Sequence, residues 1–96
     1  MANNLFITYD LKENGGTKRD YQPVFNAIAA LGEAKHLELS QFYVNSTLSA
    51  EAAAKKVWSS MQSGDKLVVL DTTGNHGYWY GLSDPTSKFM QDRWMK

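Results

Sequence analysis

Leu5-Phe6-Ile7-Thr8-Tyr9-Asp10 sets the architecture of this chain. A short β-branched and aromatic run is the mark of a strand. Successive side chains of a strand point to opposite faces, and here both sets are apolar: Leu5, Ile7 and Tyr9 on one side, Phe6 on the other. Such a strand has both faces covered and therefore runs through the centre of a sheet. It ends on a carboxylate, Asp10.

A polar loop follows over residues 12–20, where Asn14-Gly15-Gly16 supplies a turn. Tyr21, Val24, Phe25, Ile28 and Leu31 then recur at helical spacing and predict a helix over 21–31. Asp20 is its capping residue, and Pro23 sits in the first turn, where no intrahelical N–H is needed. Gly32 is placed to take the left-handed conformation that closes a helix. Residues 34–46 read as two strands, Leu37 and Leu39 sharing one face and Phe42 and Val44 another register. Ser40-Gln41 between them is a tight hairpin or a bulge. Ser49 caps a second helix with Glu51 in its first turn, and its body runs through Val57, Trp58 and Met61. Ser63-Gly64-Asp65 breaks it, and Lys66–Asp71 is a fourth strand, again apolar on both faces.

The order strand, helix, strand, strand, helix, strand leaves few arrangements once crossovers are right-handed. The common one is the ferredoxin-like split βαβ sandwich, an α+β fold with an antiparallel sheet in the order 4-1-3-2. Strand 1 is then central and both helices lie on one face. The other face, with Phe6 and half of strand 4, needs its own cover, because large apolar patches seldom stay exposed. One candidate is the tail, where Ser83-Asp84-Pro85 starts a short C-terminal helix carrying Phe89, Met90 and Trp94 on one side. The other is a second copy of the chain. The expected organisation is a core over residues 1–72, followed by an aromatic loop and helix over 73–96 that pack on the core or on the seam of a homodimer.

A length of 96 residues makes one domain, and 43% apolar content suffices for a core. Without cysteine there is no disulfide framework and no thiolate ligand or nucleophile, which suits a reducing compartment. No run approaches the roughly 20 apolar residues of a membrane span. The start lacks the pattern of a signal peptide, so a cytoplasmic protein with no membrane partner is expected. Ten basic residues cancel ten acidic ones, which argues against non-specific grip on a phosphate backbone while leaving a local patch open.

The run Asn4-Leu5-Phe6-Ile7-Thr8-Tyr9-Asp10 resembles the strand ending in Tyr-Asp of the CRISPR-associated protein 2 family. Glu38-Leu39-Ser40-Gln41-Phe42-Tyr43-Val44 is similar to that family's second hairpin, and Leu48-Ser49-Ala50-Glu51 to the start of its second helix. The virulence-associated protein D toxins share the architecture. The likeness covers residues 4–72. It implies a ferredoxin-like homodimer, with Asp10 as the metal-binding and catalytic carboxylate of a Mg²⁺-dependent endonuclease on RNA or DNA. Other members are structural DNA-binding subunits that do not need the aspartate. The loop after Asp10 departs from the family in being glycine-rich rather than basic, and residues 73–96 have no counterpart there.

Read without the family, Asp10 either helps to hold a divalent cation or accepts backbone hydrogen bonds from the Asn14-Gly15 loop. Asp71 is either a second carboxylate near Asp10 or the start of the turn Thr72-Thr73-Gly74-Asn75, the reading preferred here. His36 and His76 fit no metal-ligand or triad spacing, and His36 is expected as an exposed strand residue. Tyr78, Trp79 and Tyr80 either stack on nucleic-acid bases or a nucleotide ligand, or are edge-strand aromatics packed into the core or a dimer seam. Lys12, Lys18 and Arg19 flank the first loop and either meet phosphates or are simply solvated. Gly15-Gly16 lacks the remaining residues of a phosphate-binding loop. The alternative to a nuclease is a non-catalytic interaction module, such as a phage- or plasmid-encoded defence factor, binding a protein or nucleotide through the aromatic segment and tail.

Overall fold

The computed structural model describes residues 2–13 and 19–94, apart from the side chains of Glu38 and Leu39. Eight elements follow in order: β1 (Asn3–Asp10), α1 (Gln22–Ala29), β2 (Gly32–Leu39), β3 (Gln41–Ser46), α2 (Ala50–Trp58), β4 (Lys66–Asp71), β5 (His76–Tyr80) and α3 (Asp84–Trp94). They build an α+β sandwich on one antiparallel sheet with strand order β2-β3-β1-β4-β5. Read from the far side, its first four strands follow 4-1-3-2, with β1 central. The order differs from the four-stranded expectation by one strand. The aromatic segment, open in sequence between a loop and an edge strand, is the edge strand β5, paired along β4 from Asp71↔His76 to Leu67↔Tyr80.

Alternation along the strands makes the layers. Leu5, Ile7 and Tyr9 of β1, Phe42 and Val44 of β3, and Leu67 and Val69 of β4 are buried on one face. Val24 and Ile28 of α1 and Ala53, Ala54 and Val57 of α2 close over them in a single core cluster. Burying a Leu, Ile or Val side chain of this kind stabilises by about 1.5–3 kcal/mol. At the β3 side, Tyr9 meets Tyr21, Phe25 and Phe42 at ring-centroid distances of 6.1, 5.7 and 6.1 Å. The opposite face carries Phe6, Tyr43, Val68, Leu70 and Trp79, all half-buried. The two-faced character read from β1 is therefore real, and among the described residues its second face meets a helix only at the β5 edge, where α3 lies against Trp79 and Gly77.

Local chemistry explains most element ends. Ser49 accepts the Ala52 N–H at 3.1 Å and caps α2 as expected. At α1 the N-cap is Tyr21, and Asp20 acts one residue earlier by accepting the Gln22 N–H at 3.0 Å. Gly32 does not close α1 in a left-handed conformation. It opens β2, where a Cβ would collide with the carbonyl oxygen of Asn45 on the neighbouring strand. The β4–β5 turn runs through Asn75 at φ 55°, a left-handed conformation that asparagine tolerates. Ser83-Asp84-Pro85 does open α3, but the stripe facing the sheet is Ser87, Met90 and Trp94, each half-buried. Phe89, expected on that stripe, is instead 59% exposed. No described helix is long and apolar enough to cross a membrane.

Candidate functional site

Asp10 lies at the end of β1 on the open face, exposed, in line with Phe6 and Thr8 and directly opposite Lys66 of β4. Its expected hydrogen bonds from the Asn14-Gly15 loop fall outside the described residues, as does Lys18. Asp71 is not its neighbour. Because β4 runs antiparallel to β1, Asp71 pairs with Leu5 at the other end of the strand. There it accepts the Thr73 N–H at 2.9 Å and starts the β4–β5 turn, as its preferred reading had it. Among the described residues no three His, Asp or Glu side chains gather as a metal-binding group. One chain thus offers a hard cation one carboxylate with a lysine across from it. Mg²⁺ retains several waters and is held by one or two carboxylates plus substrate phosphates, so one Asp10 is the minimum donor set for it and a second carboxylate would strengthen the site.

The basic residues divide. Lys12 is exposed beside the end of β1. Arg19 is committed within the fold. Its Nη1 and Nη2 donate to Asp65 Oδ1 and Oδ2 at 2.6 and 2.9 Å, and Nη1 also donates to the Lys12 carbonyl at 2.9 Å. Asp65 is fully buried in the turn before β4 and also accepts the N–H groups of Lys12 at 2.8 Å and Gln62 at 2.7 Å. Burial by itself raises the Asp65 carboxyl pKa, but the Arg19 fork and the two backbone donors outweigh it and hold it below the ordinary value. The pair ties the segment leaving β1 to the α2–β4 turn, and so fixes the end of β1 where Asp10 sits. Sequence reading passed over Asp65. Its one signal was an acid in a glycine turn ahead of an apolar strand, with nothing to indicate a partner 46 residues away.

The aromatic trio is split by strand alternation. Tyr78 and Tyr80 face α2: Tyr80 stacks on Trp58 with centroids 4.8 Å apart and planes 7° apart, and Tyr78 meets Tyr80 edge-on at 5.6 Å. Trp79 faces the other way. Its Nε1 donates to Ser87 Oγ at 2.9 Å, its ring lies 6.3 Å from that of Trp94, and Trp94 Nε1 donates to the Asn75 carbonyl at 3.1 Å. The three rings are therefore not one stacking platform. His36 is exposed on β2, within hydrogen-bond reach of the Tyr9 hydroxyl at 3.2 Å and stacked on Phe42, and His76 is exposed at the start of β5.

Comparison of the chain with protein-family models, with curated proteins and with solved structures finds no match.

Proposed function

We propose that the chain is a homodimeric subunit of the CRISPR-associated protein 2-like type, assembled through the open face of its sheet, with Asp10 as the carboxylate of a Mg²⁺-dependent nuclease site. The observation carrying this reading is that Asp10 stands on the same face as the half-buried Phe6, Tyr43, Val68 and Leu70. A surface that is apolar at its centre and polar at its rim is the anatomy of a protein interface. A two-fold axis near the Asp10 end of β1 brings two carboxylates together and doubles the donor set of one chain. The chemistry such an ion supplies is polarisation of a phosphoryl oxygen and a lowered pKa for bound water. Lys66 and Lys12 then face the phosphate as counter-charges, and Asp65 with Arg19 keeps the end of β1 in place.

Two measurements test the reading. Wild type and Asp10→Asn are incubated with single- and double-stranded RNA and DNA, in Mg²⁺ or EDTA. Cleavage by wild type that vanishes in EDTA and in the variant is expected; equal residual cleavage by both proteins removes Asp10 from the chemistry. Light scattering at micromolar concentration is expected to give twice the mass of one chain, and a monomer overturns the face-to-face assembly.

The second reading, a non-catalytic interaction module, is favoured by a different observation. The edge strand β5 and the helix α3 enclose a groove of about 480 Å³ on the side of the sheet remote from β2.

A further inference from the structure

The two edges of the sheet are not alike. β2 carries the charged Glu33 and Lys35 and breaks register between His36 and Leu39, devices that discourage a further strand from pairing. β5 has none of them. Its sequence is His-Gly-Tyr-Trp-Tyr, without lysine or proline, and its register against β4 is unbroken.

Which of its backbone groups point outward follows from hydrogen-bond alternation in antiparallel pairs. The Thr72 N–H donates to the Asn4 carbonyl at 3.0 Å, and the Tyr9 N–H donates to the Ser40 carbonyl at 3.1 Å. Even-numbered residues of β1 therefore turn their backbone toward β4, and odd-numbered ones toward β3. In β4, Lys66, Val68 and Leu70 answer β1, which leaves Leu67, Val69 and Asp71 to bond with Tyr80, Tyr78 and His76. Gly77 and Trp79 are left with N–H and C=O directed out of the sheet.

These groups open into the β5–α3 groove, which Gly77, Trp79 and Leu82 line from one side and Asp84, Ser87 and Gln91 from the other. No residue of α3 is buried, so the helix forms the groove's far wall without having completed its own packing. Asp84 is the charged side chain of the lining.

We propose that β5 accepts an extended peptide segment of a partner protein as a sixth strand, seated between β5 and α3, and that Asp84 selects a basic side chain in it. Alternate N–H and C=O groups at strand spacing call for another extended backbone and for no compact small molecule. Charge complementarity favours a peptide over a second copy of this chain, because β5 brings no lysine or arginine to set against Asp84. The site specifies the interaction-module reading and depends on neither Asp10 nor the face-to-face dimer.

The probe is a pair of blocked hexapeptides, Thr-Val-Lys-Val-Thr-Val and the same sequence with Glu for Lys, titrated into isotope-labelled protein and followed by amide NMR. The expected result is saturable shifts at the Gly77 and Trp79 amides, with the lysine peptide binding about threefold tighter. That preference is expected to disappear in Asp84→Asn, and methylation of alternate peptide nitrogens is expected to abolish binding. No shift at Gly77 and Trp79 up to about 1 mM peptide, a dissociation constant too weak to matter, overturns the proposal. So does equal binding of the methylated peptide, or a shift of these amides with protein concentration alone, which would assign the edge to a second copy. Light scattering reads the dimer separately, so failure of either idea is distinguishable from failure of the other.

Discussion

Asp65 shows how one residue can fix the end of a strand without belonging to it. Its carboxylate is fully buried and takes donors from Arg19, Lys12 and Gln62, so removing it strands a guanidinium and two backbone N–H groups. Asp65→Ala is expected to lose about 3 kcal/mol in urea unfolding at neutral pH. The acid limb of stability follows from the same pair. Because the folded-state pKa lies below the unfolded one, the stabilisation is complete above about pH 4 and is lost as pH falls through the folded value. Melting temperature measured from pH 7 to pH 2 is expected to fall more steeply for wild type than for Asp65→Asn, the two curves converging at the acid end. Asp10 is the contrast. Exposed on the open face, it can become Asn with a change of under about 0.5 kcal/mol, so any lost activity in that variant reports on chemistry and not on folding.

At the scale of elements, the strand β1 and the helix α3 mark the extremes. Leu5 is fully buried in the central strand, and Leu5→Ala is expected to cost about 3 kcal/mol. The helix α3 buries no residue and is held by Trp79 to Ser87 and Trp94 to Asn75 contacts. Deleting residues 83–96 is expected to shift the urea midpoint by the equivalent of about 1 kcal/mol or less, while Trp79 fluorescence moves to the red. The hinge between these regimes is Gly81, at φ 85° with its α-carbon so near the backbone of Asp65 that a Cβ would collide there. It turns the chain out of the sheet and into α3. Two helix starts were legible from residue chemistry, Ser49 and Ser83-Asp84-Pro85, because a cap acts within one turn. Which side of α3 would face the sheet was not, since Phe89 and Met90 are both apolar and only the packed position of Trp79 distinguishes them.

For the molecule as a whole, a radius of gyration of 13.3 Å slightly exceeds the roughly 12.5 Å of a compact chain this long, as expected with α3 lying at the rim. Amide exchange should follow the same gradient, slowest in β1 and β4 and fastest in α3, and comparable protection throughout would count against a loosely attached tail. The central strand, the α+β class and the order of its first four strands were readable from local pattern, because alternation, caps and turns act over a few residues and right-handed crossovers leave little choice of topology. Three things needed the folded chain: the place of β5 beside β4, the separation of Asp71 from Asp10, and the Arg19–Asp65 pair. Each depends on which segments distant in the chain come to lie side by side. Pairing energy of that kind is shared between segments far apart in the chain, so no single stretch of residues carries it.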